Sequence, residues 1–346
     1  MNMVLPGTPN GAEIAALGVE AFYSHHPSAA LRYPAGARDA CRRDMLMHLI
    51  YVEAAAALDS LPLLIDYLAW VRALIGNLGL PVADLRPALD CLAQAVEAVR
   101  GSQGQDTARL LRRGLRELDR LPPEFASLAC SGGPLTGPSA KFLAALLAFD
   151  YPKAAAILFD AVEGGADIAA TLPDIVGPAM REVGRLWHRG QITVAEEHAA
   201  SAATQVIMAR FYPRIFATER RGPVLVAACA EGELHEMGLR MVTDQFQLGG
   251  WETHFLGAST PPKAMAAFAA RSGAAVVAVS AMTVASVPAA ASLIALLRTS
   301  PGGNGRKILA GGYPFSVDQD LWRRVGADGT AADGRQALAL ADDWVR

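Results

Sequence analysis

The sequence predicts an α + α/β protein with an N-terminal all-helical bundle, a four-helix bundle and a doubly wound parallel sheet. Long apolar segments with charges at helical spacing fill the chain as far as residue 212, and they carry no strand signals. From residue 222 onward, short apolar runs alternate with helical segments, which is typical of a parallel sheet covered by helices. A stretch rich in proline and glycine, 121–138, separates the two helical units. We therefore expect domains at 1–135, 136–218 and 219–346.

The first helical unit contains five predicted helices, which would pack as one bundle. They are expected at 12–23, 36–59, 61–78, 82–100 and 107–120. Two of these helices carry ring side chains at helical spacing, namely His48, Tyr51, Tyr67 and Trp70. This pattern most often marks core packing, and a ligand pocket is the alternative interpretation.

The second helical unit contains four predicted helices with short connections, as an antiparallel four-helix bundle requires. They are expected at 139–149, 152–163, 168–189 and 194–212. The sheet follows, with strands predicted at 224–229, 253–256, 275–279 and 307–310 and a weak fifth strand near Thr330.

One histidine lies just past the carboxyl end of the first predicted strand, at the edge where open α/β sheets bind ligands. This residue is His235, and Glu233 precedes it by two positions. A carboxylate at that distance can hold one ring nitrogen and leave the other free as a metal ligand. From these residues alone, an ordinary exposed loop histidine is the plainer interpretation.

Two further signals at fixed distances favour the metal ligand. Residues 239–279 lead from Gly238 to Ser280, and residues 283–310 lead from Met282 to Gly311 and Gly312. All of these signals fall at strand ends. The arrangement resembles the cobalamin-binding domain family, whose pattern is Asp-x-His-x-x-Gly, then Ser-x-Leu, then Gly-Gly. Glu233 stands where that family has Asp, and Met282 where it has Leu.

The resemblance implies a flavodoxin-like domain in which His235 is the lower axial cobalt ligand and Glu233 orients it. Ser280 would hydrogen-bond the displaced nucleotide tail of the cofactor, and glycine residues would leave room for it. The cofactor-binding residues expected in this domain are Glu233, His235, Gly238, Gly257, Ser259, Thr260, Ser280, Met282, Gly311 and Gly312.

The four-helix bundle carries Trp187-His188 and, after residues 188–196, the pair Glu197-His198. A tryptophan, nine residues and then Glu-His resembles the B12-dependent photoreceptor family. The resemblance implies that Trp187 packs against the upper adenosyl group and that Glu197 and His198 line the same pocket. It also implies that His188 waits beside the cobalt and becomes its upper axial ligand after light. The rival resemblance is to the corrinoid-carrying subunits of methyltransferases.

The first domain resembles the N-terminal domain of the photocobilins, photoreceptors that pair B12 with a bilin. The resemblance rests on Arg32-Tyr33-Pro34, on Asp44 to His48 and on the run from Asp66 to Trp70. It implies biliverdin as a second chromophore. The residues that we ourselves expect to bind the bilin are Arg38, Arg42, His48, Tyr51, Tyr67 and Trp70, because arginines can pair the propionates. A haem bound through His48 and a protein-interaction bundle are the alternatives.

Composition excludes several other classes of protein. The 346 residues are 52% hydrophobic and 19% charged, which suits compact domains with large cores. A net charge of −3 argues against a broad basic face, so we expect no direct contact with nucleic acid. The four cysteines, Cys41, Cys91, Cys130 and Cys229, are scattered and show no metal-binding spacing, which predicts free thiols in a reducing compartment. Without a signal peptide or spanning segment, the expected location is the cytoplasm, away from membranes.

Together these features predict a light sensor that uses adenosylcobalamin, with biliverdin as second chromophore, and that is not an enzyme. The signal would pass through a light-dependent homodimer or higher oligomer, or through a downstream regulatory protein. The alternatives are a corrinoid-carrying subunit of a methyltransferase system and a B12-sensing regulator that acts through a protein partner.

Overall fold

The structure is a computed structural model that describes residues 8–33, 36–122, 135, 137–220, 222–303 and 305–346. It confirms the predicted α + α/β class. Most of the predicted linker 121–138, with Cys130, lies outside the described residues, as do Pro34 and residues 1–7. The three described cysteines are free thiols. In the described part of the chain, no helix has the length and apolar character needed to cross a membrane.

The first domain consists of the five predicted helices and one additional short helix. The additional helix begins at Pro27, whose fixed backbone angle suits a first helical turn. Ser60 caps the fourth helix by accepting a hydrogen bond from the Leu63 amide. The helices are α1 (Gly11–His25), α2 (Pro27–Arg32), α3 (Ala37–Ala57), α4 (Leu61–Asn77), α5 (Leu85–Arg100) and α6 (Gln105–Glu117).

The second domain is the predicted bundle, but its third helix is interrupted by a π-helical turn, Leu172–Val176. Pro173 lies in this turn and has no N–H to donate, which favours a local change in hydrogen bonding. The last long helix begins at a capping box formed by Thr193 and Glu196. The helices are α7 (Gly137–Leu147), α8 (Tyr151–Glu163), α9 (Ile168–Thr171), α10 (Gly177–His188), α11 (Val194–Ala209) and α12 (Tyr212–Ile215).

The third domain contains a four-stranded parallel sheet with the order β2-β1-β3-β4. The predicted fifth strand near Thr330 is wrong. Among the described residues, only an isolated bridge between Leu309 and Gly329 forms there, because the chain turns into a helix capped by Asp333. The elements are β1 (Val224–Cys229), α13 (Met237–Leu248), β2 (Glu252–Gly257), α14 (Pro262–Arg271), β3 (Val276–Ser280), α15 (Val287–Thr299), β4 (Lys307–Gly311), α16 (Tyr313–Val317), α17 (Leu321–Arg324) and α18 (Gly334–Val345).

The two faces of the sheet belong to different cores, because side chains alternate along each strand. Leu225 and Ala227 pack with residues of α13 and α18, such as Phe246. Val226 and Ala228 face the layer of α14 and α15, and this core is continuous with that of the first domain. Helix α3 contacts α15, and α4 contacts α16. The first domain is therefore packed against one side of the sheet domain.

A buried polar network fastens this contact. Asp318, which is 6% exposed, accepts hydrogen bonds from Ser60 Oγ and Arg324 Nη2. Arg324 also donates to the carbonyl oxygens of Leu58 and Asp59, at 3.2 and 3.1 Å. Arg324 thus neutralises a buried carboxylate and caps the end of α3 at the same time.

We expect Arg324→Ala to lower the free energy of unfolding by about 2 kcal/mol, because it leaves the Asp318 carboxylate buried without its cation. Arg323→Ala is the matched control, since Arg323 is exposed, pairs with exposed Asp320 and lies over the Trp322 ring. Its expected cost is below about 0.5 kcal/mol. Urea unfolding followed by circular dichroism measures both, and equal midpoints for the two variants would contradict this role of Arg324.

Candidate functional site

The centre of the site is a histidine–carboxylate pair in the loop between β1 and α13. Glu233 Oε1 accepts from His235 Nδ1 at 2.5 Å and from the His235 amide at 2.9 Å. Because a carboxylate only accepts, Nδ1 carries a proton, so Nε2 is the nitrogen that offers a lone pair when the imidazole is neutral. The His235 side chain is 60% exposed, whereas that of Glu233 is 1% exposed. The loop thus presents one imidazole nitrogen at the carboxyl edge of the sheet, as the sequence predicts.

The carboxylate of Glu233 also holds the loop that follows β3. Its Oε2 accepts from the amides of Met282 and Thr283, at 2.8 and 3.2 Å, and from Ser286 Oγ at 2.7 Å. Ser286 was not predicted from the sequence, and no motif there marks it. Burial favours a raised pKa for Glu233, but hydrogen bonds from His235, the charge of His235 and the bond from Ser286 lower it to about 2. Glu233 is therefore a carboxylate at neutral pH.

Three of the predicted residues, at the end of β2 or just after it, support the loop that carries His235. The Ser259 amide donates to the Glu233 carbonyl at 2.9 Å, and Ser259 Oγ accepts from the Gly232 amide at 3.0 Å. The Thr260 amide donates to the Cys229 carbonyl at 3.3 Å. Gly257 has a φ of 82°, and a Cβ there would lie 3.0 Å from Glu236 Oε2. These residues brace the histidine loop.

The glycines at the strand ends leave space where the resemblance requires it. A Cβ added at Gly238 or at Gly311 would meet no heavy atom within 4 Å. At Gly312 the reason for glycine differs, because φ is 111° and a Cβ would lie 2.0 Å from the Ala281 carbonyl oxygen. Ser280 is buried at the end of β3 beside this pair, and Met282 is 39% exposed on the rim. A free imidazole nitrogen with open space at two glycines fits a corrinoid whose nucleotide tail is buried.

One predicted residue of the bundle is close to His235, and another, His188, is an exception to the predicted arrangement. Hydrogen bonding to Glu233 raises the pKa of His235, and the nearby charge of Glu197 on α11 adds to this effect. Glu197 also accepts from His198 Nδ1 at 2.5 Å, and the His198 side chain is 62% exposed. Trp187, at the end of α10, is 36% exposed. Glu197 is therefore near His235, and we call the end of α10 and the start of α11, which carry these residues and His188, the lid.

His188 is the exception, because it faces the first domain. It is 3% exposed, and its Nε2 lies 3.0 Å from the carbonyl oxygen of Trp70. Its ring also packs against the Trp70 ring, with 5.2 Å between the centroids. The expectation that His188 stands free beside the cobalt does not hold in this structure, since α4 occupies that nitrogen.

An aromatic ladder of Tyr51, Tyr67, Trp70 and Trp187 links the first domain to both parts of the site. Ring centroids are 4.3 Å apart for Tyr51 and Tyr67, 6.2 Å for Tyr67 and Trp70, and 6.5 Å for Trp70 and Trp187. The Tyr51 hydroxyl lies close to Thr283 and to Glu233. The ladder therefore runs from the histidine loop of the sheet to the lid of the bundle.

The other residues predicted to bind a bilin divide into two groups. His48 Nδ1 lies 2.6 Å from the Tyr67 hydroxyl, and burial lowers the pKa of His48 to about 4. Arg38 instead pairs with Glu20 at 3.0 Å, and Arg42 pairs with Asp39 at 3.1 Å. Successive residues of an α-helix are about 100° apart, so both arginines lie away from the Tyr51 side of α3. The structure does not bring them to the aromatic ladder.

In the described part of the chain, no three His, Cys, Asp or Glu residues are grouped as ligands for a bare metal ion. A corrin ring supplies four of the cobalt ligands itself, so a single histidine suffices.

Two family models match the chain, both described as a B12 binding domain, at residues 223–341 and 139–212. Dimethylamine corrinoid protein 1 from Methanosarcina acetivorans is 28% identical over 52% of this chain and 85% of its own length. A corrinoid protein from Desulfitobacterium hafniense is 25% identical over 53% of this chain and 85% of its own length. The monomethylamine corrinoid protein of Methanosarcina barkeri shares the fold, with a TM-score of 0.53, 20% identity and coverage of 60% of this chain and 97% of its own. The chain is a cobalamin-binding protein.

We expect Glu233→Gln to lower the free energy of unfolding of the cofactor-free protein by about 2 kcal/mol. The NH₂ group of the glutamine side chain would face one of the N–H or O–H groups that donate to the carboxylate, so that this hydrogen bond would be lost. Glu231→Gln, on the exposed part of the same loop, is the control, with an expected change within about 0.5 kcal/mol. Urea unfolding measures both variants. If Glu233→Gln were as stable as the control, the Glu233 carboxylate would not be what holds the loops after β1 and β3 together.

Proposed function

We propose that this cobalamin-binding protein is a light sensor that uses adenosylcobalamin. One observation carries the proposal: the lid residues Trp187 and His188 contact α4 of the same chain. A subunit that carries methyl groups must offer its upper face to partner enzymes in turn. A sensor instead needs its lid connected to another part of its own chain, which is the arrangement found in this structure.

On the lower side, His235 would bind the cobalt through Nε2, with Glu233 fixing the ring. The spaces at Gly238 and Gly311 would receive the nucleotide tail, and Ser280 would hydrogen-bond it. On the upper side, Trp187 would cover the adenosyl group with a flat apolar face that excludes water, and Glu197 and His198 would line the same pocket. Bound adenosylcobalamin supplies a cobalt–carbon bond that visible light breaks. His188 must leave the Trp70 carbonyl before it can reach the metal.

We also propose biliverdin as a second chromophore. Fewer residues would bind it than the sequence predicts. Tyr51, Tyr67 and Trp70 supply stacking faces for a flat conjugated ring system, and His48 lies beside Tyr67. Arg38 and Arg42 are left out, because their partners are Glu20 and Asp39.

The output would be a light-dependent change in self-association, with a downstream regulatory protein as the alternative partner. Val206 and Phe216 of the bundle are 67% and 60% exposed, which supports a contact surface there. We place the protein in the cytoplasm.

A corrinoid-carrying subunit of a methyltransferase system is the second candidate. The names of the relatives favour it, since several are dimethylamine corrinoid proteins. Those relatives match about half of this chain, and the two family models leave residues 1–138 unmatched.

Green light should convert the protein loaded with adenosylcobalamin in the dark into a stable product with histidine on both cobalt faces. His188→Ala should abolish the upper histidine. His25→Ala, at the exposed end of α1, should retain it. Absorption spectra before and after illumination provide the measurement. A product without a second histidine, combined with methyl transfer to an amine methyltransferase after loading with methylcobalamin, would favour the carrier.

Co-expression with a haem oxygenase should give a red-absorbing protein. Tyr51→Ala should reduce the bound bilin about tenfold, because base–aromatic stacking contributes about 1–3 kcal/mol per ring system. Arg42→Ala should leave the bilin content unchanged, in agreement with its distance from the ladder. A Soret-dominated spectrum would indicate haem, and loss of bilin in Arg42→Ala would contradict the narrowed set of residues.

A further inference from the structure

Helix α4 of the first domain holds the lid histidine through contacts at both its ring and its backbone. His188 Nε2 lies 3.0 Å from the Trp70 carbonyl oxygen, and Asn77 Nδ2 donates to the His188 carbonyl at 3.1 Å. Because a carbonyl only accepts, His188 Nε2 carries a proton in this contact. That nitrogen has no lone pair for a metal while the contact persists.

The same helix also contacts the start of α16, which lies beside the space predicted to hold the nucleotide tail. The Tyr313 hydroxyl donates to Asp66 Oδ1 at 2.7 Å, and Tyr313 directly follows Gly311 and Gly312. Asp66 and Trp70 are four residues apart on α4 and therefore lie on one face. Trp70 and Asn77 are seven apart, which again places them on neighbouring turns of a common face. A single helix thus contacts the start of α16 at one residue and the end of α10 at two others.

We infer that α4 is a latch that positions His188 away from the cobalt, and that Asn77 is a positioning residue of this latch. This inference rests on the proposed function, in which His188 is the upper ligand after light. His188 Nε2 then becomes available only when α4 and the end of α10 separate. Separation changes the contact between the first domain and the bundle, so ligand exchange at the cobalt moves the first domain.

Asn77 is suited to a test because it is exposed at the end of α4, so its replacement leaves the core intact. Asn77→Ala removes the donor, and Asn77→Asp keeps the shape but turns an acceptor toward the His188 carbonyl. Asn10 provides the matched control, since it is an exposed asparagine whose side chain donates to Glu13 far from the lid.

The first readout needs neither cofactor nor light. The apoprotein is treated with diethyl pyrocarbonate, and modification of His188 is followed by mass spectrometry, with exposed His198 as the internal standard. We expect wild type and Asn10→Ala to protect His188. Asn77→Ala and Asn77→Asp should raise its rate of modification about fivefold, the equivalent of one hydrogen bond of about 1 kcal/mol. Unchanged rates in both Asn77 variants would overturn the latch.

The second readout uses hydroxocobalamin in the dark, where absorbance follows the replacement of the upper ligand by histidine. Asn77→Ala should accelerate this replacement about fivefold relative to Asn10→Ala. Measurable but equal rates of replacement in the two variants would also overturn the latch. If His188 is released in the apoprotein but no histidine reaches the upper face, the proposed function fails while the latch stands. If no corrinoid binds at all, the labelling experiment alone decides the latch.

Discussion

The candidate site depends on one buried carboxylate. Glu233 accepts hydrogen bonds from the imidazole and amide of His235, from two amides of the β3 loop and from Ser286. A buried charge is costly unless hydrogen bonds surround it, and here the donors come from two different loops. The same atoms that stabilise the charge therefore fix the direction of the imidazole. The hydrogen bonds of Glu233 therefore both orient the His235 ring and hold the two loops together.

The second constraint is the way in which the first domain covers the sheet domain. The shared core and the network around Asp318 fasten α3 and α4 to the α15 and α16 side. This position brings Tyr51 to the histidine loop and Trp70 to the lid. The aromatic ladder follows from that packing. The first domain therefore contacts both ends of the candidate corrinoid site.

Local patterns in the sequence predicted the strands and the centre of the site. Short apolar runs mark β1 to β4, and the spacing places Ser280 and Gly311 at strand ends and His235 in the loop after β1. Partners across long stretches of chain have no such pattern, so Ser286, Asn77 and Tyr313 were missed. The contact of His188 was missed for the same reason, since its partner is a backbone carbonyl of the first domain. The spacing of Arg38 and Arg42 from Tyr51 along α3 already indicates that both arginines lie on the opposite side of that helix.

The most direct test of the account concerns the nitrogen beneath the cobalt. Protein labelled with ¹⁵N in its histidines is loaded with unlabelled cobalamin, reduced to the cobalt(II) state, and examined by electron paramagnetic resonance. An axial ¹⁴N splits each cobalt line into three, whereas an axial ¹⁵N splits it into two. The account predicts two-line splitting in the labelled protein and its loss in His235→Ala. Three-line splitting that persists in the labelled protein would mean that the cofactor keeps its own base and that the Glu233–His235 pair does not bind the metal.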